Sequence, residues 1–210
     1  MKIVIFGASG RTGLPLVQQA LAAGHQVVAF VRDPSKLGSA HQNLTVVQGD
    51  VMSATAVANA VSTDTDAVIS VLAPVKGSPP DLLPIAVEHI VSAMRQRGVK
   101  RLIYMTGAGI EAPEDKPQFI NHVIKFALKT LAAGVLAQSR LAVENVQASG
   151  LDWTIVRGPV LNDNPHSGRY KVGWVGVNTG PRLSRADAAD FILTQLADST
   201  YMRKAPMLSN

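Results

Sequence analysis

Glycines at positions 7, 10 and 13, with Ser9, Arg11 and Thr12 set between them, are the residues of this chain whose types and spacing speak most directly of chemistry. Glycine lets a backbone approach a ligand with no Cβ in the way, and a turn rich in it can aim several N–H groups at one place. That is the chemistry of holding an anion, and a pyrophosphate in particular. The spacing G-x-x-G-x-x-G is common in ordinary turns and differs from the G-x-G-x-x-G of the usual dinucleotide fingerprint. Its setting carries the reading. The turn follows an apolar run, Ile3 to Phe6, and precedes a helical pattern from about Thr12 to Ala23 that stops at Gly24, so the positive end of a helix dipole faces the glycines. Gly13 would then allow the helix to pack closely on the strand.

A second candidate for chemistry is Arg32, which ends the next apolar run, Gln26 to Val31, and is followed by Lys36. An acidic residue at that place would bind ribose hydroxyls, whereas a planar guanidinium suits a 2′-phosphate. Arg11 is also able to approach that end of a dinucleotide. NADP(H) is therefore favoured over NAD(H). Asp33 is better read as the cap of a short helix opened by Pro34. For Lys36 a phosphate contact and a plain surface charge both stay open.

The chain offers no acid pair of the Tyr-x-x-x-Lys kind, in which a lysine lowers the pKa of a proton-donating tyrosine. Its tyrosines are Tyr104, Tyr170 and Tyr201, and four residues beyond them stand Ala108, Trp174 and Ala205. His25, His41, His89, His122 and His166 form no pair or cluster with metal-ligand spacing, so no metal is expected. His166 reads as a surface-loop histidine, with proton donation the sharper alternative, and Tyr104 as a buried strand residue. No catalytic residue is assigned.

These residues need a scaffold, and strands alternate with helices along the chain. Further strands are expected at Leu44 to Gln48, Ala67 to Leu72, Arg101 to Met105 and Trp153 to Arg157. Helices are expected at about Ala54 to Val61 and Leu82 to Arg97, and near Phe119 to Ala148 with a break at Gly134. Each strand–helix–strand passage has the length of a right-handed crossover, which gives a doubly wound α/β sheet in a single domain spanning residues 1–210. Asn162 to Pro181, dense in Asn, Pro and Gly, reads as an ordered loop region with a short strand at Tyr170 to Val172. Ser184-Arg-Ala-Asp187 resembles a capping box ahead of a last helix to about Ala197.

Composition sets the outer bounds. The 210 residues are 47% hydrophobic, enough for one sizeable core, and contain no Cys, which removes disulfides and thiolate sites. The net charge of +5 is scattered, without the clustered basic face that nucleic acid requires. The apolar run after Met1-Lys2 is too short for a signal peptide or a membrane span. A soluble, cytoplasmic protein is expected, with no membrane or nucleic-acid partner. The segment Phe119 to Val135, with Lys125 and Lys129, reads as a helix packed on its own sheet or as a dimer helix, and the expected state is a monomer or weak homodimer.

GASGRTG after the first strand, VRDP after the second, QGDV after the third, MTGAG after the fifth, and SGLDWTIVRGPVLND followed by SRADAADF resemble the NAD(P)-binding atypical short-chain dehydrogenase/reductase group. The branch most similar is that of the biliverdin reductase B/flavin reductase-like proteins, with NmrA-like relatives. The resemblance implies a Rossmann-type parallel sheet with helices on both faces. It implies that Gly7, Ser9, Gly10, Arg11 and Thr12 hold the pyrophosphate side of the cofactor, that Arg32 and Lys36 hold the 2′-phosphate, and that Asp50 and Val51 flank the adenine. Leu72, Ala73 and Pro74 would line the path to the nicotinamide, and Thr106 and Gly107 would lie beneath it. Arg157, Gly158, Pro159 and Val160 would close that end, with residues 158–210 forming the substrate-side cap. For Val51, Leu72 and Val160 plain core packing is an equal reading. In the branch, Ser stands where this chain has Gly107 and His where it has Val160, which puts tetrapyrrole reduction in doubt more than cofactor binding.

Together these features lead to an NADPH-dependent oxidoreductase whose acceptor is a flavin or another conjugated ring that takes its proton from solvent. The rival expectation is a non-catalytic NADP(H)-binding redox sensor of the NmrA-like type.

Overall fold

The structure is a computed structural model, and it describes residues 1–38, 40–117 and 132–210. The first six strands are β1 (Lys2–Phe6), β2 (Gln26–Val31), β3 (Leu44–Gln48), β4 (Ala67–Ser70), β5 (Arg101–Gly107) and β6 (Asp152–Gly158). The last four are β7 (Val160–Asn162), β8 (Lys171–Gly173), β9 (Arg182–Ser184) and β10 (Met207–Ser209). The helices are α1 (Gly13–Ala22), α2 (Ala54–Ala60), α3 (Leu82–Arg97), α4 (Ala133–Gln147) and α5 (Arg185–Thr194), with a 3-10 turn at Pro34–Leu37.

Eight strands form one sheet in the order β3-β2-β1-β4-β5-β6-β10-β8, while β7 and β9 pair separately. All pairings are parallel except that of β10 with β8. This is the doubly wound sheet expected from the sequence. The chain moves outward from β1 through β2 to β3, then returns to the other side of β1 with β4, so the order reverses between β1 and β4. In open α/β sheets ligands settle at the carboxyl ends of the strands where that reversal occurs.

The continuous apolar runs are explained by burial on both faces. On one face Val4, Phe6, Leu102, Tyr104 and Ile155 pack with Val57 of α2, Ala86 and Ile90 of α3 and Val143 of α4. On the other, Ile3, Ile5, Val27, Ile103 and Val156 pack with Leu16 and Ala20 of α1 and Ala188 and Ile192 of α5. Successive side chains alternate between the two faces, as the strand period of two requires.

Several expectations are corrected. The β4 ladder ends at Ser70, short of Leu72, where Val71 and Leu72 run close against the glycine loop. The span 162–181 holds the end of β7 besides the short strand expected at Tyr170 to Val172, which is found one residue on as β8, and the tail adds β10 beside β6. Helix α5 ends at Thr194 and its box is only half closed. Ser184 Oγ caps Ala186 and Asp187 N–H, but the Asp187 carboxylate is taken by Ser167, Gly168 and Asn210, and Ser184 N–H donates instead to Asn210 Oδ1. Of the expected Phe119 to Ala148 helix, Ala133–Gln147 is found as α4. Residues 119–131, with Lys125 and Lys129, lie outside the described residues.

Candidate cofactor site

The glycine turn begins where β1 ends. Gly7 has a φ of +85°, and a Cβ there would sit 3.0 Å from the carbonyl of Val71 and 3.1 Å from Leu72 N. The turn is therefore pressed against the segment leaving β4, at Val71 and Leu72, which Ala73 and Pro74 follow in the chain. Gly10 N–H closes the turn on Gly7 O at 2.9 Å, and Leu14 N–H reaches Gly10 O at the same distance. Gly13 is the tightest position: a Cβ would meet Gly7 O at 2.0 Å and Ala8 O at 2.6 Å. Only glycine permits α1 to start so close to the strand.

The donors of this turn are free. Among the described residues, the N–H groups of Ser9, Arg11, Thr12 and Gly13 have no partner, the Ser9 hydroxyl has none, and Thr12 makes no side-chain cap. Unpaired N–H groups at a helix start, with no acidic side chain in the first turn, form an anion site. The residues present fit a pyrophosphate.

One strand over, the register Phe6↔Phe30 places Arg32 two residues beyond the level at which β1 ends. Its side chain is exposed and has no ion pair or hydrogen bond among the described residues, while its carbonyl accepts Gln48 Nε2 at 3.2 Å. Asp33 is occupied as expected of a cap: its carboxylate accepts from Ser35 N–H at 3.1 Å and from Ser35 Oγ at 2.7 Å. Those bonds, and Lys36 at 3.7 Å, hold its pKa below the ordinary carboxylate value. A free guanidinium beside a capped acid suits a 2′-phosphate better than a ribose diol. Beyond β3, Asp50 Oδ1 accepts Met52 N–H at 2.9 Å, and Val51 is 6% exposed with its carbonyl bonded to His89 Nδ1. The Val51 side chain belongs to the core, so adenine would meet its backbone at most.

At the far end, Thr106 and Gly107 close β5, and Gly107 lies in register with Gly158 of β6. A Cβ on Gly107 would touch nothing within 4 Å, and Val160 is 70% exposed, so this end is open and apolar. Pro159 is half-buried beside it.

Arg157 needs correction. Its guanidinium is wholly buried and faces inward, donating to Ala205 O, Ile110 O and both oxygens of Asp115. It holds the loop after β5 in place, and its side chain is not free to meet a ligand. Asp115 gave no sequence signal, since its partner lies 42 residues away. Arg11 is likewise engaged, by Asp163, which no spacing pattern marks.

None of the three tyrosines faces the open end as an acid. Tyr104 is 1% exposed with its hydroxyl unpaired, and burial pushes its pKa far up. Tyr170 donates to Asp190 on α5, and Tyr201 packs against Phe191. His166 lies 3.5 Å from Asp190 on α5. Among the described residues no cluster able to hold a metal is present, and no helix is long and apolar enough to cross a membrane. A depression of about 380 Å³ at the opposite, amino-terminal end of β5 and β6 is lined by Arg95, Lys100 and Arg203 and by the carboxyl ends of α3 and α4, which disfavour an anion.

The chain is similar to known proteins along these same elements. It is 33% identical over 128 residues to a 3-diazoavenalumate denitrifying reductase of Streptomyces, a match covering 56% of this chain and 41% of that longer protein. Its fold is shared with a short-chain dehydrogenase/reductase of Veillonella parvula solved in complex with NADP, at a TM-score of 0.80 and 21% identity over 100% of this chain and 94% of that one. It is shared also with ChuY, an anaerobillin reductase of Escherichia coli O157:H7, at a TM-score of 0.78 and 22% identity over 100% and 97% of the two chains. The family model described as NAD(P)H-binding matches residues 7–199, from the first glycine of the phosphate turn to beyond α5. This chain belongs to the NAD(P)H-binding family.

Proposed function

We propose that the protein is an NADPH-dependent reductase that passes hydride to a flavin or another conjugated acceptor. The observation that carries the reading is a contrast between the two ends of one crevice. The phosphate end is fully furnished, with four unpartnered N–H groups and the free Arg32, while the far end, around Gly107 and Val160, holds no tyrosine or histidine acid among the described residues. A bound nicotinamide supplies a hydride at its ring carbon. What this chain contributes is orientation: the Gly7 to Gly13 turn and Arg32 fix the phosphates, and Gly107, with nothing within 4 Å of where a Cβ would stand, leaves room for a flat acceptor. An extended conjugated ring accepts hydride at one atom and takes its proton from water, so no protein acid is required.

The similarity to a denitrifying reductase and to an anaerobillin reductase supports the reductase part of this reading. The measurement is oxidation of NADPH by the purified protein with FMN, riboflavin or dichlorophenolindophenol as acceptor. Acceptor-dependent oxidation, faster with NADPH than with NADH, is expected. Tight NADPH binding with no turnover on any of the three would overturn this reading in favour of a non-catalytic NADP(H) sensor.

A further inference from the structure

The last helix begins alongside the first. α1 starts at Gly13 and α5 at Arg185, and Gln19 Nε2 of α1 donates to Ala186 O of α5 at 2.9 Å. One carboxylate stands between their first turns. Asp163 Oδ1 accepts from Arg185 Nη1 at 2.6 Å, and its Oδ2 accepts from Arg11 Nη2 at 2.5 Å. The two contacts differ in kind. The Arg185 side chain is 13% exposed and so is fixed by its surroundings, whereas that of Arg11 is 70% exposed and that of Asp163 is 63%.

We propose that Asp163 is a resident counter-ion of the phosphate site, anchored by Arg185, that occupies Arg11 in the free chain and gives it up to a phosphate of the incoming dinucleotide. The inference rests on the cofactor reading above and adds a determinant of affinity to it. Arg11 follows the glycine turn directly, and the unpartnered N–H groups of Arg11, Thr12 and Gly13 attract an anion to the same place. Asp163 is the anion that the chain itself supplies there. An exposed ion pair is weak and exchanges readily, and a phosphate with a planar guanidinium makes a stronger, two-point contact. Asp163 thus opposes cofactor binding twice, by competing for Arg11 and by repelling the phosphate.

The test is calorimetric titration of the full chain and its Asp163→Asn, Asp163→Ser, Arg11→Ala and Arg11→Ala/Asp163→Asn variants with NADP⁺ and NAD⁺. Removing the Asp163 charge is expected to tighten NADP⁺ binding about two- to fivefold, the scale set by one exposed ion pair. The same removal in the Arg11→Ala background is expected to give a markedly smaller gain. A gain with both nucleotides identifies the pyrophosphate as the displacing group, and a gain confined to NADP⁺ identifies the 2′-phosphate. Unchanged or weaker NADP⁺ binding by both Asp163 variants, with the wild type binding normally, would overturn the counter-ion role and leave the cofactor reading standing. Failure of the wild type to bind either nucleotide would overturn both.

Discussion

The Arg157 guanidinium and the Asp115 carboxylate meet as a two-point pair, Nη2 to Oδ1 at 2.7 Å and Nη1 to Oδ2 at 2.8 Å, with Arg157 wholly buried. Asp115 also accepts N–H bonds from Ala112 and Val175, so one carboxylate joins the loop after β5, the end of β6 and the turn after β8. That junction lies next to the open end of the crevice. Removing one partner leaves the other charge buried and alone. Arg157→Met and Asp115→Ala are each expected to destabilise the protein by about 3–5 kcal/mol, measured by urea unfolding. The double replacement should cost less than the sum of the two.

The same carboxylate makes the fold acid-sensitive. Burial raises the pKa of Asp115, but hydrogen bonds from Arg157, Ala112 and Val175 outweigh it and leave the pKa below the unfolded value of 3.8. Asp187 is lowered in the same way, its burial outweighed by bonds from Ser167, Asn210 and Gly168. A depressed folded pKa contributes stability above the unfolded value, lost as pH falls through the folded one. Stability should therefore hold down to about pH 4 and decline below it. Asp115→Asn should show a lower unfolding midpoint at neutral pH and a flatter decline in acid.

Gly13 tests the close approach of helix and strand. A Cβ there would lie 2.0 Å from Gly7 O, so α1 or the phosphate turn must shift. Gly13→Ala is expected to lower stability by about 1–3 kcal/mol and to weaken NADPH binding, followed by thermal unfolding and titration. Gly107→Ala, with nothing within 4 Å of its Cβ, is the control and should leave the unfolding temperature almost unchanged.

Arg32 tests the choice of cofactor. A charge-assisted contact to a phosphate is worth about 1.5–3 kcal/mol, so Arg32→Ala should weaken NADPH binding by about tenfold or more and leave NADH nearly untouched. An unchanged NADPH/NADH ratio would remove Arg32 from the 2′-phosphate site.

Strands β2 and β3 and helix α3 match their sequence expectations residue for residue, because each is a long periodic or apolar run punctuated by residues with one local role. Asp33 before Pro34 is such a residue, as are Gly24 and Gly98 at helix ends. The parts that escaped are short or long-range. β7, β9 and β10 have three residues each, too few for a period to show, and are fixed by neighbours such as Arg157 beside Met207. Arg157 itself follows an apolar run, where arginine usually marks a solvated strand end; only a carboxylate brought from a distant loop makes its burial tolerable. The glycine turn was legible as a tight strand-to-helix connection because its geometry is local to seven residues. Asp163 was not, since it meets Arg11 only through the packing of α5 on α1.

The most direct measurement is the rate of NADPH oxidation with FMN as acceptor, compared for NADPH carrying hydrogen or deuterium at the transferred position. Acceptor-dependent turnover that slows with deuterium is the predicted result, since hydride transfer is the step this site is built to orient. Tight NADPH binding without any acceptor-dependent oxidation would contradict the account.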